Sequence, residues 1–302
     1  MNWDNIHNKD FFDDVKGYED YYFNTIITDI PYNLGTKWVI DDDGTYQVKG
    51  KKNATDFMNK WDGLDGKDLD KMFKEMFRVL KYGGYCLVFG LDRQLGPLHY
   101  YATKNGFEIN QSLYWYFVSN FPKATDASKQ IQKRIDKNGG DEKLVDVFDG
   151  YKYSKAPLKQ MVETICVFSK PTKNNSVLDD IMEWSEDVDL LNYCPKVSKK
   201  ERNNHITEDT ENEPLNQHPT LKPINLIYEI SKLFKLPEIV DQKVYVPFAG
   251  SGSEIIGLLK AGYNHKNIWG CEMNEEYVEI AKKRIKYYYD TNKPEGDGGS
   301  TE

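Results

Sequence analysis

Arginine is scarce in this chain: Arg78, Arg93, Arg134, Arg202 and Arg284 are all it has among 302 residues. Positive charge therefore rests on lysine, and Lys plus Arg at 40 against Asp plus Glu at 48 leaves a net charge of −8. That balance excludes a uniformly basic polyanion binder, so nucleic acid has to be met by local patches. Cysteine is scarce too. Cys86, Cys166, Cys194 and Cys271 form no CxxC pair, which argues against a disulfide framework or a zinc site. Three of them lie in apolar strand-like runs, as expected of reduced, buried thiols in a cytoplasmic protein. No stretch approaches the ~20 apolar residues of a membrane span, and the opening Met1-Asn2-Trp3-Asp4 is polar and acidic where a signal peptide is basic and then apolar. No membrane partner is expected, and no metal.

What is present is enough to fold. Aromatic residues make up 14% of the chain, with 21 tyrosines, far too many for a disordered polymer. Strand-length apolar runs alternate with helical patterns, which predicts an α/β fold with a mainly parallel sheet and helices on both faces. Asn24 to Ile30 is the first strand. A helix follows over 68–81, with Leu69, Met72, Phe73, Met76, Phe77 and Leu80 on one face, stopped by Gly83-Gly84 before a strand over 85–89. Further strands are expected over 107–118 and 161–168, with a helix over 127–137 between them. The carboxyl-terminal part predicts a helix over 221–234, a strand over 243–247, a glycine loop and helix, a strand over 267–272 and a last helix from 274 to about 288. The tail over 290–302 has nothing to bury and is expected to be disordered.

Two features carry chemistry. Phe248-Ala249-Gly250-Ser251-Gly252 joins a strand to a helix, where glycines let backbone approach a ligand at the sheet's carboxyl edge. Ile255 stands where a dinucleotide fingerprint has its third glycine, which disfavours a nicotinamide-dependent oxidoreductase. Glu272 ends the next strand, 22 residues after Gly250, at the distance where an acid grips ribose hydroxyls. The second feature is Asp29-Ile30-Pro31-Tyr32. Pro31 holds Ile30 extended, so the Asp29 carboxylate and the Ile30 carbonyl give two acceptors for one exocyclic amine, with Tyr32 to stack on the ring that bears it.

These segments resemble motifs of the DNA amino-methyltransferases, which methylate adenine N6 or cytosine N4 from S-adenosylmethionine. Asp29-Ile30-Pro31-Tyr32 matches their DPPY, His218-Pro219-Thr220-Leu221-Lys222-Pro223 their HPT-x-KP, and the glycine loop their FxGxG. The order is that of the family's β group. The resemblance implies a class I, Rossmann-like methyltransferase fold with permuted motifs, in which residues 1–170 form the catalytic half, 171–217 a variable region for target recognition, and 218–289 the cofactor-binding half. It implies that Asp29, Ile30, Pro31 and Tyr32 are catalytic. It assigns S-adenosylmethionine to Asp10, Phe11, Asp29, Thr220, Lys222, Phe248, Ala249, Gly250, Ser251, Gly252, Glu272 and Met273. Asp10 would accept from the adenine amine, although it can equally cap a helix starting at Phe11, and Lys222 would approach the methionine carboxylate. Two residues depart from the pattern: Ile30 replaces a proline, and Val246 replaces the acid before Pro247-Phe248.

The implied substrate is double-stranded DNA, its target base flipped outward, and Asp at the first motif position favours adenine N6. Cytosine N4 is the alternative; a module that keeps the scaffold without turnover is another. Residues 33–62, with Lys37, Trp38 and Trp61, are the loop expected to close over the base. Local positive charge falls on 120–140, with five basic and two acidic residues including Lys123, Lys129 and Lys133, and on 195–205, with four against one including Lys199, Lys200 and Arg202. Such enzymes are also found as homodimers and beside a cognate restriction endonuclease.

Overall fold

The computed structural model describes residues 3–32, 37–49, 64–117, 124–154, 158, 160–174, 176, 179, 205–208, 221–237 and 240–291. The expected tail beyond Thr291, most of the variable region, and Thr220, Lys123, Lys199, Lys200 and Arg202 lie outside the described residues. In chain order the elements are β1 (Ile6–Asn8), α1 (Phe11–Asp14), β2 (Phe23–Thr28), β3 (Lys37–Ile40), β4 (Tyr46–Lys49), α2 (Gly66–Val79), β5 (Leu80–Gly90), α3 (Asp92–Lys104), β6 (Glu108–Ile109) and β7 (Leu113–Tyr116). They continue with β8 (Thr125–Asp126), α4 (Ala127–Asn138), α5 (Lys143–Val147), β9 (Lys152–Tyr153), β10 (Val162–Ser169), β11 (His205–Thr207), α6 (Ile224–Leu233), β12 (Val244–Pro247), α7 (Ser253–Lys260), β13 (Ile268–Glu272) and α8 (Glu275–Thr291).

The main sheet runs β1-β13-β12-β2-β5-β10-β7-β11, with β6 also on β10. Every pairing on this path is parallel except those of β10, which runs against β5, β6 and β7. Side-chain alternation divides the core into two layers. Ile26, Cys86 and Val88 point to the side of α1, α2 and α3, while Ile27, Leu87 and Phe89 point to the side of α6, α7 and α8. The expected helices on both faces follow from this period-two burial, since a central parallel strand must be apolar on both sides. Cys86, Cys166 and Cys271 are free and buried in it.

Two expected boundaries move. Gly83-Gly84 does not stop the first long helix: α2 ends at Val79 and β5 starts at once, and the glycines lie within the strand. Pairing jumps from Phe23↔Leu80 to Thr25↔Tyr85, a bulge that Gly83 permits at φ +72° and that the backbone carbonyl of Asn24 crowds at Gly84. The strand expected over 107–118 is two strands, both paired with β10; after the first, Asn110 donates its backbone N–H to Val167 O (2.9 Å) and its side-chain amide to Ser169 Oγ (2.7 Å).

Helices α6 and α7 pack so closely that a Cβ on Gly257 would lie 2.4 Å from Ile227 Cβ. Gly257→Ala is expected to lower stability by roughly 1–3 kcal/mol through overpacking, measured as a fall in the urea unfolding midpoint; an unchanged midpoint would count against this packing. Among the described residues no helix is long and apolar enough to cross a membrane.

Candidate active site

The carboxyl ends of β2, β12 and β13 open into one cavity of about 330 Å³, within the size range of small-molecule sites. Asp29 lies just beyond β2, and Thr28 Oγ1 ties that end to Pro247 O at 2.8 Å. The 29–32 segment is held from α3, where Gln94 Nε2 donates to Pro31 O (3.0 Å) and Arg93 Nη2 to Tyr32 O (3.1 Å). Opposite it runs the glycine loop. Phe248, Gly250 and Gly252 take φ of +57°, +48° and +83°, a left-handed path that glycine tolerates and Phe248 does not adopt for free. Arg284, buried in α8, holds the loop by donating to Ser251 O (2.6 Å) and Ser251 Oγ (2.8 Å).

Nearly all the residues read from the motifs meet here. Asp10, Phe11, Asp29, Ile30, Pro31, Tyr32, Lys222, Phe248, Ala249, Gly250, Ser251, Glu272 and Met273 line the cavity. Gly252 stands behind it as the cap residue of α7. Asp10 caps α1, accepting from Phe12 N at 2.8 Å through Oδ1. The Phe11 ring stacks on Phe248, centroids 5.5 Å apart. Glu272 accepts from Gly250 N (3.1 Å) and Asn274 N (2.8 Å); burial raises its pKa against the pull of these donors. Val246, where the acid is replaced, is in the apolar cluster with Ala249 and Ile255.

The polar centre of the site is a buried cluster. Lys222, only 4% exposed, places Nζ 2.8 Å from Asp29 Oδ2 and 3.2 Å from Glu163 Oε1. It also donates to Tyr32 Oη. Tyr32 Oη in turn reaches Asp29 Oδ1 (2.5 Å) and Glu163 Oε1 (3.0 Å). The Tyr32 ring, expected as a stacking surface, is thus largely buried, with its hydroxyl committed to the cluster. Burial pulls the Lys222 ammonium down, but Asp29 and Glu163 outweigh it and hold the group above the usual lysine range. Burial, then the two carboxylates, pushes Tyr32 well up, and burial raises Glu163.

Glu163, Glu254 and Arg284 were not among the residues that the sequence singled out. Glu163 sits on β10 two strands from β2 and has no motif around it; Glu254 falls in the first turn of α7, where only tertiary packing buries it, and Arg284 on the inner face of α8, where only tertiary packing gives it Ser251 as a partner. Of the residues expected at DNA, Trp38 is in the β3–β4 hairpin and packs partly buried against the α2 and α3 side of the core, and Lys37 beside it is exposed. Lys129 and Lys133 are exposed on α4.

The profile of the N6/N4 DNA methylase family matches residues 23–283. Type II methyltransferase M.HpaI of Haemophilus parainfluenzae is 23% identical over 277 residues, covering 90% of this chain and 70% of that protein. The structure of M1.HpyAVI with S-adenosylmethionine superposes with a TM-score of 0.53 at 18% identity, over 92% of this chain and 98% of that one. The cytosine-N4-specific PvuII DNA methyltransferase gives a TM-score of 0.54 at 14% identity, over 94% and 90%. These likenesses bear on the fold.

Proposed function

The chain belongs to the DNA methylase family that acts on amino N6 or N4, and from that premise we propose that it methylates the exocyclic N6 of adenine in double-stranded DNA. As a member it is an S-adenosylmethionine-dependent DNA methyltransferase. The cavity suits that cofactor on its own chemistry: the Phe11 and Phe248 rings form an apolar face, Glu272 an acceptor pair, and the left-handed glycine loop a close backbone approach. When bound, S-adenosylmethionine supplies a methyl carbon open to direct displacement.

The observation that carries the reading is the Asp29 carboxylate, presented at the end of β2 on the cavity wall beside the glycine loop. An exocyclic amine is a poor nucleophile because its lone pair is delocalised into the ring. A carboxylate accepting one of its hydrogens localises that pair and orients it. Lys222 and Tyr32 hold Asp29 by Oδ2 and Oδ1, so its orientation is set before the base arrives. No Cys or His nucleophile is needed for such a displacement.

DNA contact is assigned to the stretch between β7 and β10. Tyr116 pairs with Val162 at the cavity edge of the sheet, so residues 117–161 leave and return beside the site. Within them α4 carries Lys129, Lys133 and Lys137 at four-residue spacing, all exposed. The 171–217 region, expected to serve target recognition, leaves from the far edge of the sheet, where Ser169 pairs with Tyr85, and after β11 continues from the cavity edge, where Thr207 pairs with Tyr116.

The test is digestion of DNA treated with purified protein and labelled cofactor, followed by nucleoside mass spectrometry. N6-methyladenine is expected. N4-methylcytosine in its place would overturn the choice of base, since the PvuII enzyme shows that this fold serves cytosine too.

A further inference from the structure

We infer that the Glu254 carboxylate receives the α-ammonium group of the methionine part of S-adenosylmethionine, an inference that rests on reading the cavity as the cofactor site. Glu254 lies in the first turn of α7, directly after the glycine loop, is 5% exposed, and lines the same cavity as Asp29 and Gly250. The charged groups facing it come from every side: Asp29 from the end of β2, Lys222 from the segment before α6, and Arg284 from α8. Neither cation is at its disposal. Lys222 is engaged by Asp29, Glu163 and Tyr32, and Arg284 holds the loop through Ser251. Among the described residues no ion pair reaches the Glu254 carboxylate, and its own backbone N–H is the hydrogen-bond donor it has.

A carboxylate buried without a cation is costly, and it relieves the cost by holding a proton. Burial, followed by repulsion from Asp29, accordingly pushes Glu254 up to about 7. A ligand that brings its own cation completes this half-built pair. S-adenosylmethionine offers a sulfonium and an ammonium, and of the two only the ammonium has N–H groups for a carboxylate to accept. The ligand's carboxylate would be repelled. Asp29 is the charged group that perturbs Glu254 most, and the two line one cavity with the glycine loop.

The chemistry balances simply. Below pH 7 the free protein holds a proton on Glu254, the ammonium displaces it, and the proton leaves to solvent. Affinity is therefore expected to rise from pH 6 as Glu254 loses its proton, and to fall again once the ligand's own α-ammonium is deprotonated. Without ligand the sign is opposite for stability: with a native pKa of about 7 above the ordinary 4.5, stability is lost as pH rises from 4.5 to about 7 and is level beyond it. Glu254→Gln should then unfold at a higher temperature than the wild type at pH 8, which also reports that the variant folds.

The experiment is titration calorimetry with S-adenosylhomocysteine and with its desamino analogue, which lacks the α-amino group and is otherwise the same. Removing the amine is expected to weaken binding roughly 10- to 100-fold in the wild type and very little in Glu254→Gln, as for a charge-assisted hydrogen bond. In the wild type alone, titration at pH 6.5 in buffers of different ionisation enthalpy should show proton release with S-adenosylhomocysteine and not with the analogue. An equal loss in both proteins, or equal proton release with both ligands, overturns the inference and leaves the cofactor reading standing. No binding of either S-adenosylmethionine or S-adenosylhomocysteine to the wild type overturns that reading itself.

Discussion

Asp29→Ala is expected to reduce methyl transfer by about 10²- to 10³-fold, the scale of a lost transition-state hydrogen bond in a dry site, while cofactor binding is largely kept. The structure explains why the protein should survive the change. Lys222 keeps Glu163 as its counter-charge at 3.2 Å, and Tyr32 Oη keeps Glu163 Oε1 as an acceptor at 3.0 Å. No buried charge is left alone, so the loss falls on turnover. Single-turnover kinetics together with calorimetric titration of S-adenosylhomocysteine separate the two effects. Activity near the wild-type rate in this variant would remove Asp29 from the reaction.

Lys222→Met should have the largest effect on stability, about 3–5 kcal/mol, because it strands Asp29 and Glu163 as buried carboxylates with no cation. With side-chain exposures of 15% and 9%, these groups have little water to replace the ammonium. The expected signature is pH-dependent: the variant regains stability as pH falls and the stranded acids protonate. Adding Glu163→Gln should recover part of the loss at neutral pH, since it removes one of the two charges. Urea unfolding of the single and double variants at pH 5 and pH 8 measures this, and a single variant as stable as the wild type at pH 8 would contradict the ion cluster.

The residues legible in the sequence were those whose signal is local. The strand ending in Asp29, the X-Pro step after it and the left-handed glycine loop are each set by neighbouring residues: apolar period, proline geometry, and the freedom of glycine at positive φ. The strand boundaries that moved did so where a local signal was overruled by pairing. Gly83-Gly84 is a sound helix stop in isolation, yet β2 and β10 on either side of β5 draw the segment into the sheet, and the glycines become a bulge.

What the sequence by itself determined was therefore the fold class and the wall of the cavity that its motifs supply. What only the tertiary structure decided was the electrostatics. Asp29 and Lys222 are 193 positions apart and Tyr32 and Glu163 are 131 apart, and they meet because the strand order β2-β5-β10 brings β10 across from the end of β2. The physical reason is that periodicity and turn chemistry act over a few residues, whereas the charge state of a buried acid depends on which distant groups the sheet places around it. Glu163 and Glu254 are ordinary glutamates in the chain. Burial beside Lys222 makes the first a counter-ion, and burial without a free cation leaves the second half-built.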